Sequence, residues 1–333
     1  MGAMIRPIAL MCAFVVGWFA PQGAALAWSI PWFVRYMLFM TFLGLNVQKM
    51  RLRRSHFVIL ALNLLVGVVA CEIFRLIGNE TLAVAAFFTG LAPTATAAPP
   101  IASFLGRQVE YVVTGLLLTT FGVAIALPAL IPWVVPNDAG GTNVAFFEAF
   151  FKVAQTVAGT IVAPIIAARL VRLVHPNAAT WTKRFKSTTF YAWVCLVTVI
   201  ACRASQFIQD PENGISPMIL VEMLGLSFVV CVTNFVLGYL VGEKELREEA
   251  SQTLGQKNTG AMIHFAGLYA DPLAALGPTL YVLWHNTWNA IQLQWLAIKD
   301  ARKEHETKLA SADANAAPAG SGETADVQPD KKD

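Results

Sequence analysis

The chain has 333 residues, 56% of them hydrophobic and only 14% charged, with a mean hydropathy of +0.57. A soluble domain carries about 25% charged residues, so this composition excludes an ordinary soluble protein and points to a polytopic membrane protein. The formal net charge of +3 has no dense basic patch behind it outside short loops, which excludes a nucleic-acid partner.

In chain order the apolar spans fall at about 5–21, 28–48, 57–77, 80–103, 109–134, 146–172, 187–208, 215–242, 250–270 and 273–298. Most reach the roughly 20 residues that cross a hydrocarbon core. Backbone groups in lipid must be satisfied internally, so the spans are expected to be helices; length and the lack of period-2 alternation exclude strands. Ten spans divide into two halves of five, about 5–134 and about 146–298, within a transmembrane domain 1–299. Residues 300–333 lack aromatics, are rich in Ala, Gly, Asp, Glu and Lys, and are expected to be a disordered cytoplasmic tail. Residues 1–28 also resemble a signal peptide, with APQGAALAW as its cleavage site; cleavage would leave nine spans.

Lys and Arg set the orientation. One side collects Arg6, the 49–54 cluster, Arg107, the 169–186 cluster, Lys244, Arg247 and the tail. The other side collects Arg75 and Arg203. Both termini are therefore expected in the cytoplasm, with the chain in the inner (plasma) membrane. Arg35 and Lys152 lie inside the outer parts of spans two and six. Glu72 and Glu222 lie inside spans three and eight, as candidate partners for Arg35, Arg75 or Lys152. Trp28, Trp32 and Trp133 sit at span ends as interface anchors. The five cysteines show no metal-ligand or disulfide spacing and read as small buried hydrophobes.

Two spans are interrupted. Span four contains AFFTGLAPTATAAPPIASFLG, with Pro93, Pro99 and Pro100 around Thr94 and Thr96. Proline removes a backbone donor and clashes with the preceding turn, so this span is expected to unwind. Span nine contains SQTLGQKNTG, residues 251–260, with Gly255, Gly260 and Lys257. The two interruptions hold the same position in each half, fourth and ninth. Paired broken segments are the sequence pointer to a secondary-transporter site, because unwound backbone and half-helix ends hold an ion or charged substrate. An odd number of spans per half makes the repeats inverted. WFAP ends span one and IVAP lies in span six, a weak echo of that symmetry.

These residues resemble the bile acid:sodium symporter family, which includes bacterial organic-anion transporters. The likeness covers about 5–298 and rests on Leu43 to Leu45, the Pro-Thr-Ala-Thr-Ala run, the Gly-x-x-Asn-x-Gly run of span nine, and Trp284-His285-Asn286. It implies an all-α membrane fold of ten helices in two inverted five-helix repeats, with a panel bundle and a core bundle, and with helices four and nine discontinuous and crossing. It also implies sodium ligands in spans four, five and nine, and this chain alters those of spans four and nine. The family's span-nine glutamate is Thr253 here and its glutamine is Lys257, while Gly255 and Asn258 are kept. The serine and asparagine ligands of span four are Ala98 and Pro99. Thr114, Thr119 and Thr120 are candidates for the span-five hydroxyl ligands. With a carboxylate and two oxygen ligands lost and a cation gained, Na⁺ coupling is doubtful and Lys257 is expected to stand in for a sodium ion.

Three roles for Lys257 stay open: a fixed counter-charge, a direct contact to an anionic substrate, or a proton carrier that couples transport to H⁺. Thr94, Thr96, Thr253, Gln256, Lys257 and Asn258 are expected to line the site. His264 follows Lys257 by seven residues and could share its helical face, as relay or as packing residue. Asn286 is a candidate contact beside His285. The expected function is alternating-access transport of a small organic anion, without metal or cofactor, proton-coupled or facilitative. The alternatives are a sodium-coupled bile-acid-type symporter and a non-transporting sensor on the same fold. An enzyme is disfavoured: the five histidines lie far apart, with no His/Asp/Glu cluster and no GxSxG.

Overall fold

The computed structural model describes residues 5–134, 151, 155 and 158–316. The first part of expected span six, Lys152 and residues 317–333 lie outside the described residues. Those described are helical, with no strand and one isolated antiparallel bridge, Thr94 to Lys257. The main helices are α1 (Ile5–Phe19), α2 (Ile30–Leu43), α3 (Arg54–Leu76), α4 (Glu80–Leu91), α5 (Ala98–Phe104), α6 (Val109–Val134), α7 (Ala163–Val174), α8 (Lys186–Gln209), α9 (Pro217–Val241), α10 (Arg247–Gly255), α11 (Thr259–Tyr269) and α12 (Leu276–Ala316).

Among the described residues, five segments are long and apolar enough to cross a membrane: Pro21–Leu43, Arg54–Leu76, Val109–Leu127, Lys186–Gln209 and Pro217–Val241. Their outward faces carry large apolar side chains such as Leu65, Ile125, Val221 and Val229, a surface that suits lipid rather than water. Trp28, Trp32 and Trp133 are exposed, as expected of interface anchors. The protein is therefore a helical membrane protein.

Helix starts follow local chemistry. Asn79 Oδ1 accepts from Leu82 N to cap α4, and Ser216 Oγ accepts from Ile219 N to cap α9, whose first residue is Pro217. Between α3 and α4, Gly78 takes φ +83°, a conformation that costs a residue with a Cβ. The turn folds α4 back along α3, and the two pack most closely at Gly67 and Gly90. A Cβ on Gly90 would lie 2.6 Å from Gly67 Cα.

One apolar cluster joins α1, α2, α7 and α8 with parts of α5, α6 and α12. Three others fill the space among α3, α4, α6, α9, α10, α11 and the start of α12. The connections meet at two opposite faces. On one, Arg53 pairs with Glu243 at 2.8 Å, Arg107 with Glu248, and Gln108 N donates to Glu249 Oε1. Arg172 donates to Leu45 O on the same face. On the other, Arg75 binds Glu72, Glu80 and the Val134 carbonyl. This resolves the choice of partner for Arg75; Arg35 instead donates to Gly159 O and lies over the Trp32 ring.

α12 does not stop near residue 299. It continues through Ala316, correcting the expectation of disorder from 300. Alanine, lysine and glutamate are strong helix formers, so a segment too polar to join a core still extends an existing helix.

Candidate functional site: a crossing of two broken helices

α4 ends at Leu91 because Ala92 precedes a proline and cannot hold the helical conformation comfortably. The chain restarts as α5 at Ala98, with Pro99 and Pro100 in the first turn, where their missing donors cost nothing. α10 ends at Gly255, and α11 begins at Thr259 behind Asn258, whose Oδ1 accepts from Ala261 N. Both interruptions read from the sequence are present.

The two unwound segments run past each other as a short antiparallel pair. Ala95 N donates to Gln256 O at 2.8 Å, and Asn258 N donates to Pro93 O at 2.7 Å. Thr94 Oγ1 donates to Thr253 O at 2.6 Å and accepts from Thr119 Oγ1 at 2.8 Å. Each break thus supplies the partners that the other needs, which is how non-helical backbone survives away from water.

Lys257 sits at the centre and is 1% exposed. Its Nζ donates to Asn63 Oδ1 on α3 and to Gly90 O at 2.9 Å, in the last turn of α4. Asn63 and Gly67 lie four apart on one face of α3. The glycine contact brings that face against α4, and so carries Asn63 to the lysine. Around Lys257, Tyr281 OH donates to Gly255 O and Gln256 Nε2 donates to Asn289 Oδ1. The carbonyls that the breaks release are therefore largely occupied: Gly90 O by the lysine, Thr253 O by Thr94, Gly255 O by Tyr281, and Pro93 O and Gln256 O by backbone amides.

Beside the crossing lies a cavity of about 330 Å³, walled by α2, α6, the Thr160 segment and α11. Its polar lining is Thr96, Thr120, Thr160, Asn258 and His264, set among apolar residues such as Val34, Leu127 and Phe265. Of the residues expected to line a site, Thr96, Asn258 and His264 lie in the lining of this cavity. Thr94, Thr253, Gln256 and Lys257 form the buried floor behind it. Their partners lie elsewhere: Lys257 reaches Asn63 on α3 and the Gly90 carbonyl on α4, and Gln256 reaches Asn289 on α12. Thr253 Oγ1 bonds back to Glu249 O. Asn286 Nδ2 bonds to Val282 O on its own helix, outside the cavity lining. His264 and Lys257 do not share a helical face, because Lys257 lies in the unwound segment before α11 starts.

Of the three hydroxyl candidates, Thr119 reaches the crossing and Thr120 lines the cavity, while Thr114 bonds to Glu110 O. The sequence reading missed Asn63, Thr160, Tyr281 and Asn289. A single asparagine in the apolar run ALNLLVG was the available signal for the first.

Among the described residues no group of His, Cys, Asp and Glu could hold a metal ion. No protein-family model matches the chain, and no curated protein matches it.

Proposed function

We propose that the chain is a secondary transporter of a small organic anion that works by alternating access without sodium coupling. The observation that carries this is the crossing: two unwound segments lie against a cavity, and protein donors already occupy the carbonyls a coupling cation would use. In transporters such carbonyls and helix ends coordinate the ion. Here a lysine side chain holds that position. The start of α11 lines the cavity with Gly260 and Ala261, so a helix N-terminus favours an anionic group there.

The reading includes ten spans in two inverted repeats, similar to the bile acid:sodium symporter family. Neighbour relations support it. α3 packs on α4 as α9 packs on α10, and α5 on α6 as α11 on α12. α1 packs on α8 while α2 packs on α7, as exchange of the two halves requires. The basic loops share one face, which we assign to the cytoplasm with both termini, in the inner (plasma) membrane.

The cavity lies at the Ile30 end of α2, the outer end in this orientation. Toward the other end of α2 the equivalent space is filled by Phe104, Phe190 and Trp193, with ring centroids 5.8 to 6.0 Å apart. This is the arrangement of an outward-facing state. Release inward requires the α1–α2–α7–α8 group to move against the crossing and part those rings.

A thermal-shift screen with acetate, succinate, benzoate and cholate tests the reading, followed by counterflow of the stabilising anion in proteoliposomes with and without Na⁺. Counterflow that is equal in both conditions is expected. A steep Na⁺ requirement would overturn the sodium-free mechanism, and absence of counterflow would overturn transport.

A further inference from the structure

Lys257 poses a problem of hydrogen-bond stoichiometry. An ammonium has three N–H donors, whereas Nζ meets two acceptors, Asn63 Oδ1 and Gly90 O. A neutral amine has two N–H donors and matches them. The groups facing it carry no fixed negative charge. α3 offers Asn63, and α4 offers a carbonyl. α6 brings Thr119 to the crossing, α9 offers the Cys231 thiol, and α12 offers Tyr281 with His285 edge-on to its ring. The ion pairs of the described residues lie at the two ends of the bundle, Arg53–Glu243 and Arg107–Glu248 at one and Arg75 with Glu72 and Glu80 at the other. A permanent cation without a counter-charge is unfavourable in such a place. An anion in the cavity changes the balance. The cavity wall includes Asn258, the chain neighbour of Lys257, and Pro93, the chain neighbour of its bridge partner Thr94, so a bound anion lies against the backbone that carries the lysine.

We propose that Lys257 is a proton-binding site loaded together with the anion, which makes the protein a proton–anion symporter. The inference rests on the transporter reading above and names its coupling ion. The amine lone pair takes a proton from water on the side to which the cavity opens, forming one N–H bond. The same proton returns to water on the opposite side when the anion leaves, so the cycle makes no net covalent change. Coupling is reciprocal: the anion tightens proton binding by the factor by which the proton tightens anion binding, typically about 5- to 150-fold. Asn63 serves both forms. Its Oδ1 accepts from the amino group in either form.

The test uses the full chain in lipid nanodiscs with ¹⁵N-labelled lysine, observing the Nζ resonances from about pH 5 to about pH 9. One resonance, absent from Lys257→Gln, is expected to pass from ammonium to amine as pH rises and to move back toward ammonium when the anion from the thermal screen is added. Lys257→Arg provides a second variant that keeps the charge but cannot release it. In proteoliposomes it is expected to lose uptake driven by an inward proton gradient, and its melting temperature is expected to fall, because the permanent charge stays buried without a partner. A resonance that stays ammonium, or stays amine, over the whole range overturns the proposal. So does proton-driven uptake by Lys257→Arg equal to that of the unaltered chain. The transporter reading fails separately, when no anion shows counterflow although the lysine titrates.

Discussion

At the scale of single residues, the amino group of Lys257 ties three pieces of chain together: its own unwound segment, α3 through Asn63 and α4 through the Gly90 carbonyl. Buried polar groups cost most when only one partner is removed. Asn63→Leu leaves the amino group short of an acceptor, and Lys257→Met leaves the amide and the carbonyl without a donor. Each single change is expected to destabilise by about 1–3 kcal/mol. The double change Asn63→Leu/Lys257→Met is expected to be less destabilising than the sum, since it removes both polar ends; unfolding of the four proteins in detergent measures the coupling. Backbone approach sets a second limit nearby. Gly90→Ala would place a Cβ 2.6 Å from Gly67 Cα and is expected to cost about 1–3 kcal/mol, because backbone on both sides must move. Gly267→Ala, where nothing lies within 4 Å of the new Cβ, is the control and is expected to be neutral or stabilising by up to about 1 kcal/mol. The same unfolding series ranks the two. The sequence makes one end of this contact legible and hides the other. A lysine in an apolar span announces itself, but its partner lies 194 residues away, and no local pattern links the two.

At the scale of elements, the crossing holds because each break repairs the other. Thr94 is the pivot: its amide and hydroxyl meet Thr119 Oγ1, and its hydroxyl reaches Thr253 O. Thr94→Val keeps the shape and removes the hydroxyl, leaving the Thr253 carbonyl orphaned in the core. A loss of about 1–3 kcal/mol is expected, with anion counterflow reduced more than stability alone explains if the crossing must stay ordered while the bundles move. Thr94→Ser, which restores the hydroxyl, is expected to recover both readouts. The breaks themselves were readable. Pro93, Pro99 and Pro100 forbid a continuous helix, and Gly255 with Asn258 supplies a stop and a cap. Which side chains face the cavity was not readable. Helical periodicity linked Lys257 to His264, yet the unwound stretch between Gly255 and Thr259 breaks that period and turns Lys257 away from the cavity. The far end of α12 eluded the reading for a related reason: composition argues against a core but does not end a helix already nucleated upstream.

At the scale of the whole molecule, the proposed transport reading makes the cavity at the Ile30 end of α2 the opening and the cluster of Phe104, Phe190 and Trp193 toward its other end the seal, and one rigid-body movement would open one as it closes the other. Packed interfaces of this kind switch between discrete arrangements rather than deform continuously. That makes sidedness measurable. In a chain whose five cysteines are replaced, Thr96→Cys puts a thiol in the cavity lining. A membrane-impermeant thiol reagent is expected to label it from the outside and not from the cytoplasmic face. Trp193→Ala removes the largest ring of the seal and is expected to shift the population toward the opposite state. A core tryptophan truncation costs about 3–5 kcal/mol where it stabilises one arrangement, enough to invert a two-state balance. Labelling of Thr96→Cys from the cytoplasmic face should then rise in inverted vesicles, while labelling from the outside falls in right-side-out vesicles. If Trp193→Ala lowers stability without changing the side of labelling, the cluster of Phe104, Phe190 and Trp193 is packing and not a gate. If the unaltered seal already admits reagent from the cytoplasmic face, the cavity is a channel-like opening and alternating access is excluded.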